Sequence, residues 1–125
     1  MNNFHKIAFR THWAVEHSAL SDGMEGYWTR ISRTFHCPTG LLPHQSVRFC
    51  FEPATDVRFS LNHIPQPLTI IKGLATATIT GMMQPINRLE INWRVEHLEA
   101  LQLPEHFLAW LEISDEAIAD AAVDT

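Results

Sequence analysis

Residues 88 to 98, RLEINWRVEHL, alternate between apolar and polar side chains. Successive side chains of a β-strand point to opposite faces of its sheet, so this period of two predicts a strand with one apolar and one wet face. A wet face is typical of strands in antiparallel sheets, and the run therefore predicts an antiparallel β-protein. Its apolar positions are Leu89, Ile91, Trp93 and Val95.

Two further runs alternate in the same way, SVRFCFE at 46–52 and DVRFSLN at 56–62. The linking residues EPAT contain a proline and are short enough for a hairpin loop, so we predict that the two runs form a β-hairpin. Residues 68–82, LTIIKGLATATITGM, are rich in threonine and β-branched residues. This stretch predicts one bent strand or two short ones, with bends or bulges at Gly73 and Gly81.

The first third of the chain contains two strand-like runs. KIAFRTHW at 6–13 alternates, and YWTRISRTFH at 27–36 is rich in β-branched and aromatic residues. Between them, SDGMEG at 21–26 has the composition of a turn. In the second run we expect the inward positions to be Tyr27, Ile31 and Phe35.

The C-terminal region has a different pattern. PEHFLAWLE at 104–112 places a proline at a plausible first helical position and Phe107, Trp110 and Leu111 at helical spacing. Ser114 then resembles an N-cap for a short helix, DEAIADAA at 115–122. Together these elements predict an α+β protein that is mainly β, an antiparallel sandwich or partly open barrel of about six or seven strands with one or two C-terminal helices. The 125 residues fit a single domain spanning 1–125.

Eight histidines make a metal site worth considering, and the best local set lies in HCPTGLLPH at 36–44. Nitrogen and thiolate ligands suit zinc, and prolines would stiffen a loop that holds them. The set lacks a fourth ligand, and its prolines and glycine are also common in ordinary connecting loops. We expect a stiff strand-to-strand loop and no cofactor, with zinc as the alternative. The candidate zinc ligands are His36, Cys37 and His44.

The chain shows no motif of an established catalytic class. It contains no H-E-x-x-H zinc motif, no glycine-rich phosphate loop and no family signature around a nucleophile. Glu90 and Glu96 share a strand face with Arg88 and Arg94, so pairing of opposite charges explains them without catalysis. These features favour a protein that is not an enzyme.

Trp28 is the aromatic residue that is least easily explained as part of a hydrophobic core. In the 27–36 run it falls on the polar face with Arg30, opposite Tyr27 and Ile31. Tryptophan and arginine are enriched at the energetic centres of protein interfaces. We therefore predict that a partner or ligand binds at Trp28, Arg30 and Tyr27.

The net charge of −5 disfavours nucleic acid as a partner, although Arg30 and Arg33 could form a local basic patch. Charged residues make up 18% of the chain, below the usual quarter, which suggests that part of the surface is covered by another molecule. Two cysteines are too few for a disulfide framework, and no run resembles a membrane span or a secretion signal. We therefore expect a cytoplasmic protein with reduced thiols.

These patterns favour a small acidic interaction protein, such as a regulator, an inhibitor or an immunity-type protein. It would act by docking a protein partner or by dimerising. Two alternatives remain open from the sequence. One is a β-barrel that binds a small hydrophobic ligand in its interior. The other is a metal-dependent enzyme that uses histidine and cysteine ligands.

Overall fold

The computed structural model describes residues 4–19, 27–52, 54, 57–95 and 107–115. These residues form ten β-strands in two antiparallel sheets of five strands each. In chain order the strands are β1 (Phe4–Ala8), β2 (Ala14–Ala19), β3 (Tyr27–His36), β4 (Ser46–Glu52), β5 (Val57–Leu61), β6 (Ile64–Gln66), β7 (Thr69–Ile71), β8 (Leu74–Thr78), β9 (Ile86–Val95) and β10 (Leu108–Ser114). Sheet A has the order β1-β10-β4-β8-β7, and sheet B has the order β2-β3-β9-β5-β6.

The two sheets face each other across one hydrophobic core. At its centre, the rings of Phe49 in sheet A and Phe59 in sheet B stack with their centroids 5.0 Å apart. Trp93 of sheet B meets Phe51 of sheet A edge-on. All four rings are buried. Burying a large apolar side chain contributes about 1.5–3 kcal/mol, so these alternating positions hold the sheets together.

Several strand predictions are confirmed. The sheets are antiparallel, the run at 27–36 is β3, and the run at 46–52 is β4. The threonine-rich stretch forms two short strands, β7 and β8, joined by Lys72 and Gly73. Both joining residues have positive φ, 53° and 81°, as the tight turn of a two-residue hairpin requires. Glycine adopts this conformation without strain, which explains its place in the sequence.

The prediction of an α+β fold with C-terminal helices is wrong, because the described part of the chain is all-β. Leu108–Ser114 is strand β10, which lies between β1 and β4 in sheet A. The helical spacing of Phe107, Trp110 and Leu111 coincides with a second pattern of period two. In that pattern the buried residues are Ala109, Leu111 and Ile113. Pairing with two neighbouring strands selected the strand over the helix.

The strand count was also underestimated. The described residues form ten strands rather than six or seven, because short edge strands such as β6 and β7 have only three residues each. Three residues are too few to show an alternating pattern in the sequence. The second predicted helix, at 115–122, lies outside the described residues apart from Asp115.

The predicted hairpin between the runs at 46–52 and 56–62 is wrong as well. β4 pairs with β10 and β8, whereas β5 pairs with β6 and β9, so consecutive strands belong to different sheets. Ala54 in the connection is fully buried, and its N–H donates to the carbonyl of Gly73 at 2.8 Å. A short linker is compatible with a hairpin and with a crossing between sheets, so its length could not decide between them.

Candidate functional site

The outer face of sheet B gathers arginines from three neighbouring strands. Directly opposed residues of antiparallel strands share a face, so Arg30, Asn92 and Arg58 form one row across β3, β9 and β5. Trp28 and Arg94 form the next row. We call this surface the arginine face, and it comprises Trp28, Arg30, Arg58, Arg88, Asn92 and Arg94.

Two of these guanidinium groups are held in place by neighbours on the face. The Arg58 guanidinium lies over the ring of half-buried Trp28, 5.0 Å from its centroid. The Arg30 Nε donates to the Asn92 Oδ1 at 3.1 Å. A guanidinium group that is already oriented loses less conformational entropy when it binds a partner.

Among the described residues, two glutamates share this face with the arginines. Glu90 is only 8% exposed, accepts a hydrogen bond from the Arg88 Nε at 3.2 Å and lies 3.4 Å from the His63 Nδ1. Glu16 lies directly opposite Arg30 in the register of β2 and β3, but no ion pair joins their side chains in this part of the chain. The described residues of the face, four arginines against two glutamates, have a formal charge of +2.

The arginines of this face contrast with the net charge of −5 of the chain. The expectation that nucleic acid is an unsuitable partner used only that total, and it stays a prediction.

The structure brings two of the three predicted binding residues together. Trp28 and Arg30 both lie on the arginine face. Tyr27 is the first residue of β3, where it pairs with Ala19 and Val95, and its side chain lies outside the described part.

Arg33, in contrast, is not part of a basic patch with Arg30. Its guanidinium lies 4.5 Å from the Phe9 ring centroid, on the core side of β3, and its Nη1 donates to the carbonyl of Thr11. Burial lowers the pKa of the Arg33 guanidinium. Arg58 and Arg94 were not predicted as binding residues. They lie on other strands, and only the register of the sheet places them on the same face as Trp28.

The HCPTGLLPH segment connects β3 of sheet B to β4 of sheet A, as predicted for a strand-to-strand loop. The N–H of Cys37 donates to the carbonyl of Pro85 at 3.0 Å, which ties the loop to the connection between β8 and β9. The N–H of Leu42 donates to the Gln45 Oε1 at 2.9 Å. Gly40 has a φ of 77°, which favours glycine at that turn.

The candidate zinc ligands lie along this loop. His36 and Cys37 are adjacent at the end of β3, and the Nε2 of exposed His44 lies 3.7 Å from the Asp115 Oδ1. Within the described ranges, no three histidine, cysteine, aspartate or glutamate side chains form a group that could hold a metal ion. The zinc site thus stays a prediction from the sequence.

On the outer face of sheet A, one carboxylate lies among two cations and a tryptophan. Glu112 accepts hydrogen bonds from the Arg48 Nη2 at 2.6 Å and from the Trp110 Nε1 at 3.0 Å. The Lys6 Nζ lies 4.6 Å from the centroid of the Trp110 ring. We call Lys6, Arg48, Trp110 and Glu112 the Glu112 network.

The Glu112 network changes the acidity of its own carboxyl and of the thiol next to it. Burial raises the pKa of Glu112, but the two hydrogen bonds and the charges of Arg48 and Lys6 outweigh burial and lower it. Burial, followed by the charge of Glu112, raises the pKa of the Cys50 thiol to about 12. Cys50 is 1% exposed and stays protonated near neutral pH, so it is unsuited to nucleophilic catalysis.

The comparisons with known proteins leave the function to be inferred from the chain itself. No protein-family model, no curated protein and no solved structure matches it. Throughout the described ranges, no helix is long and apolar enough to cross a membrane. The arginine face offers the clearest basis for a function, because it combines oriented cations with a half-buried tryptophan.

Proposed function

We propose that this protein is a small non-enzymatic interaction protein that docks a protein partner through the arginine face. Regulators, inhibitors and immunity-type proteins act in this way. The observation that carries the proposal is the grouping of Trp28 with Arg30, Arg58 and Arg94 on one sheet face. Tryptophan and arginine are the residues most enriched at the energetic centres of interfaces.

The partner, in this proposal, presents carboxylates to the arginine face. A guanidinium group binds a carboxylate through two parallel hydrogen bonds, and the Trp28 ring beside it supplies apolar contact area. The formal charge of +2 among the described residues of the face would attract an acidic surface at short range. Association should therefore slow as salt concentration rises.

A protein partner fits this face better than single-stranded nucleic acid does. Nucleic-acid binding without base pairing relies on several aromatic rings on which bases stack, but Trp28 is the one aromatic residue in the face as defined. One side of its ring is already covered by Arg58.

A second copy of the chain also fits the arginine face less well than an acidic partner does. Pairing two arginine faces would bring like charges together, which opposes association. Dimerisation, if it occurs, should therefore use another surface. We further propose that the protein acts in the cytoplasm, which is supported by the two free cysteines, Cys37 and Cys50.

The test compares two variants, each of which lacks one positively charged side chain. Immobilised wild-type protein, Arg58→Gln and Lys72→Gln are used to capture partners from an extract of the source cells, with and without nuclease. The dissociation constant of each captured protein is then measured. Lys72 is the matched control, because it is an exposed cation in the β7–β8 turn of sheet A.

We expect a partner that binds Arg58→Gln at least about tenfold more weakly than wild type, with Lys72→Gln within about twofold. Equal binding to all three proteins would contradict the proposal. Capture that disappears with nuclease would assign the face to nucleic acid instead. Light scattering that shows a dimer of wild type and a monomer of Arg58→Gln would assign it to self-association.

A further inference from the structure

An open cleft of about 670 Å³ lies on sheet A, where β10 begins. It is on the other sheet from the arginine face, so it is a separate surface. Phe9, Phe107 and Ala109 contribute to its interior side. The residues that line its outer side are Lys6, Ala8, Arg10, Glu52, Leu108 and Trp110.

At the cleft a small residue faces a large one. Ala8 is paired directly with Trp110 across β1 and β10, so a single methyl group stands opposite the half-buried indole. Leu108, at the start of β10, is 54% exposed. The N–H of Phe9 donates to the carbonyl of Ala109 at 2.8 Å, which keeps the chain beyond Ala8 close to β10.

The cleft has a cationic side and an apolar side. Lys6 and Arg10 flank Ala8 at alternate positions, and both line the cleft. The Lys6 Nζ is already close to the indole of Trp110. Glu52 is the one carboxylate among the lining residues, so the lining has a formal charge of +1. A ligand that matches this arrangement is negatively charged at one end and flat and apolar at the other.

We propose that this cleft binds a small organic anion with a flat apolar body, such as an aromatic carboxylate. The ring lies against Trp110 and Leu108, and the carboxylate is bound by Arg10 and Lys6. The volume lies within the usual range of small-molecule sites, about 300–1,000 Å³. Stacking on an indole and a charge-assisted hydrogen bond to a guanidinium are both available to such a ligand.

The probe pair is 2-naphthoate and its uncharged analogue 2-naphthamide, titrated into ¹⁵N-labelled protein and followed by NMR. We expect saturable shifts of the Ala8 and Leu108 amides and the Trp110 indole N–H, with a dissociation constant for naphthoate of about 1 mM or lower. Naphthamide should bind at least about fivefold more weakly, because it cannot use the cations. Shifts that do not saturate, or equal affinities for the two probes, would overturn the proposal.

Three variants locate the site. Ala8→Leu fills the cleft and should abolish the shifts, Arg10→Gln should remove the preference for the anion, and Arg58→Gln on the other sheet should change nothing. Ala8 is exposed on an edge strand, so a larger side chain does not disturb the core. If the spectrum shows that Ala8→Leu is unfolded, Arg10→Gln decides. An unchanged ratio of naphthoate to naphthamide affinity in Arg10→Gln would overturn the assignment.

Discussion

The outer faces of the two sheets both place a cation over a tryptophan, yet they differ in whether that tryptophan also bonds to a carboxylate. On sheet A, Lys6 lies 4.6 Å from Trp110, and Trp110 in turn donates to the carboxylate of Glu112. On sheet B, Arg58 lies 5.0 Å from Trp28. No carboxylate in the described part forms an ion pair with Arg58 or with Arg30.

This difference distinguishes charged side chains that stabilise the fold from charged side chains that are available to bind a partner. A paired and partly buried charge supports the fold, because removing one partner leaves the other without its hydrogen bonds. An oriented but unpaired cation contributes little to folding and retains its capacity to bind an external carboxylate. Substitutions of Arg48 or Glu112, the ion pair of the Glu112 network, should therefore lower stability, and substitutions on the arginine face should weaken binding.

The largest expected effect concerns Cys50, beside the Glu112 network. Its pKa of about 12 lies roughly three units above the ordinary thiol value of 9.0, so at pH 8 the folded state holds about a thousandfold less thiolate than the unfolded chain. We predict that iodoacetamide alkylates folded Cys37→Ser protein at least about a hundredfold more slowly than the same protein in guanidinium chloride, because Cys50 is both protonated and buried. Mass spectrometry over time gives both rates, and a ratio below about ten would show that the sheet A face is open.

The next effect is on stability. Glu112→Gln should lower the free energy of unfolding by about 1–3 kcal/mol, because Arg48 and Trp110 lose a charged acceptor. Glu16→Gln is the matched control, because Glu16 is exposed on the outer side of sheet B and should change stability by less than about 0.5 kcal/mol. Urea denaturation measures both variants. Equal effects of the two substitutions would remove the distinction between the faces.

The same carboxyl should make stability depend on pH. The folded-state pKa of Glu112 lies below its ordinary value of 4.5, so its contribution is present above pH 4.5 and is lost as pH falls through the folded value. We predict that the stability difference between wild type and Glu112→Gln is largest near pH 6 and shrinks toward pH 3. Denaturation at several pH values tests this, and a constant difference would mean that packing, not charge, stabilises the network.

Strands could be predicted from the sequence where the residue pattern within the strand was sufficient by itself. β4 and β9 alternate strongly, because each buries one face in the core, and β3 was predicted from its β-branched and aromatic residues. The prediction failed where the structure depends on how a segment pairs with neighbouring strands. The run in β10 satisfies helical spacing and strand alternation equally well, and only its pairing with β1 and β4 decides between them.

The same limit applies to the candidate site. Trp28 and Arg30 could be predicted, because they lie two residues apart in one strand. Arg58 and Arg94 required the register of β3, β9 and β5, which no local pattern specifies. The net charge of −5 does not describe the arginine face either, because a net charge averages over regions that a partner meets separately.

The smallest expected effect is the one that most directly separates the two faces. Arg58→Gln removes an exposed cation–π contact, which is worth about 0.5–1 kcal/mol, and it breaks no ion pair among the described residues. We predict that urea denaturation finds its unfolding free energy within about 1 kcal/mol of wild type, although the variant binds its partner at least about tenfold more weakly. A loss of stability as large as that of Glu112→Gln would make the Trp28–Arg58 contact structural. In that case any loss of binding would follow from a weakened fold, because the arginine face would then support folding as the Glu112 network does.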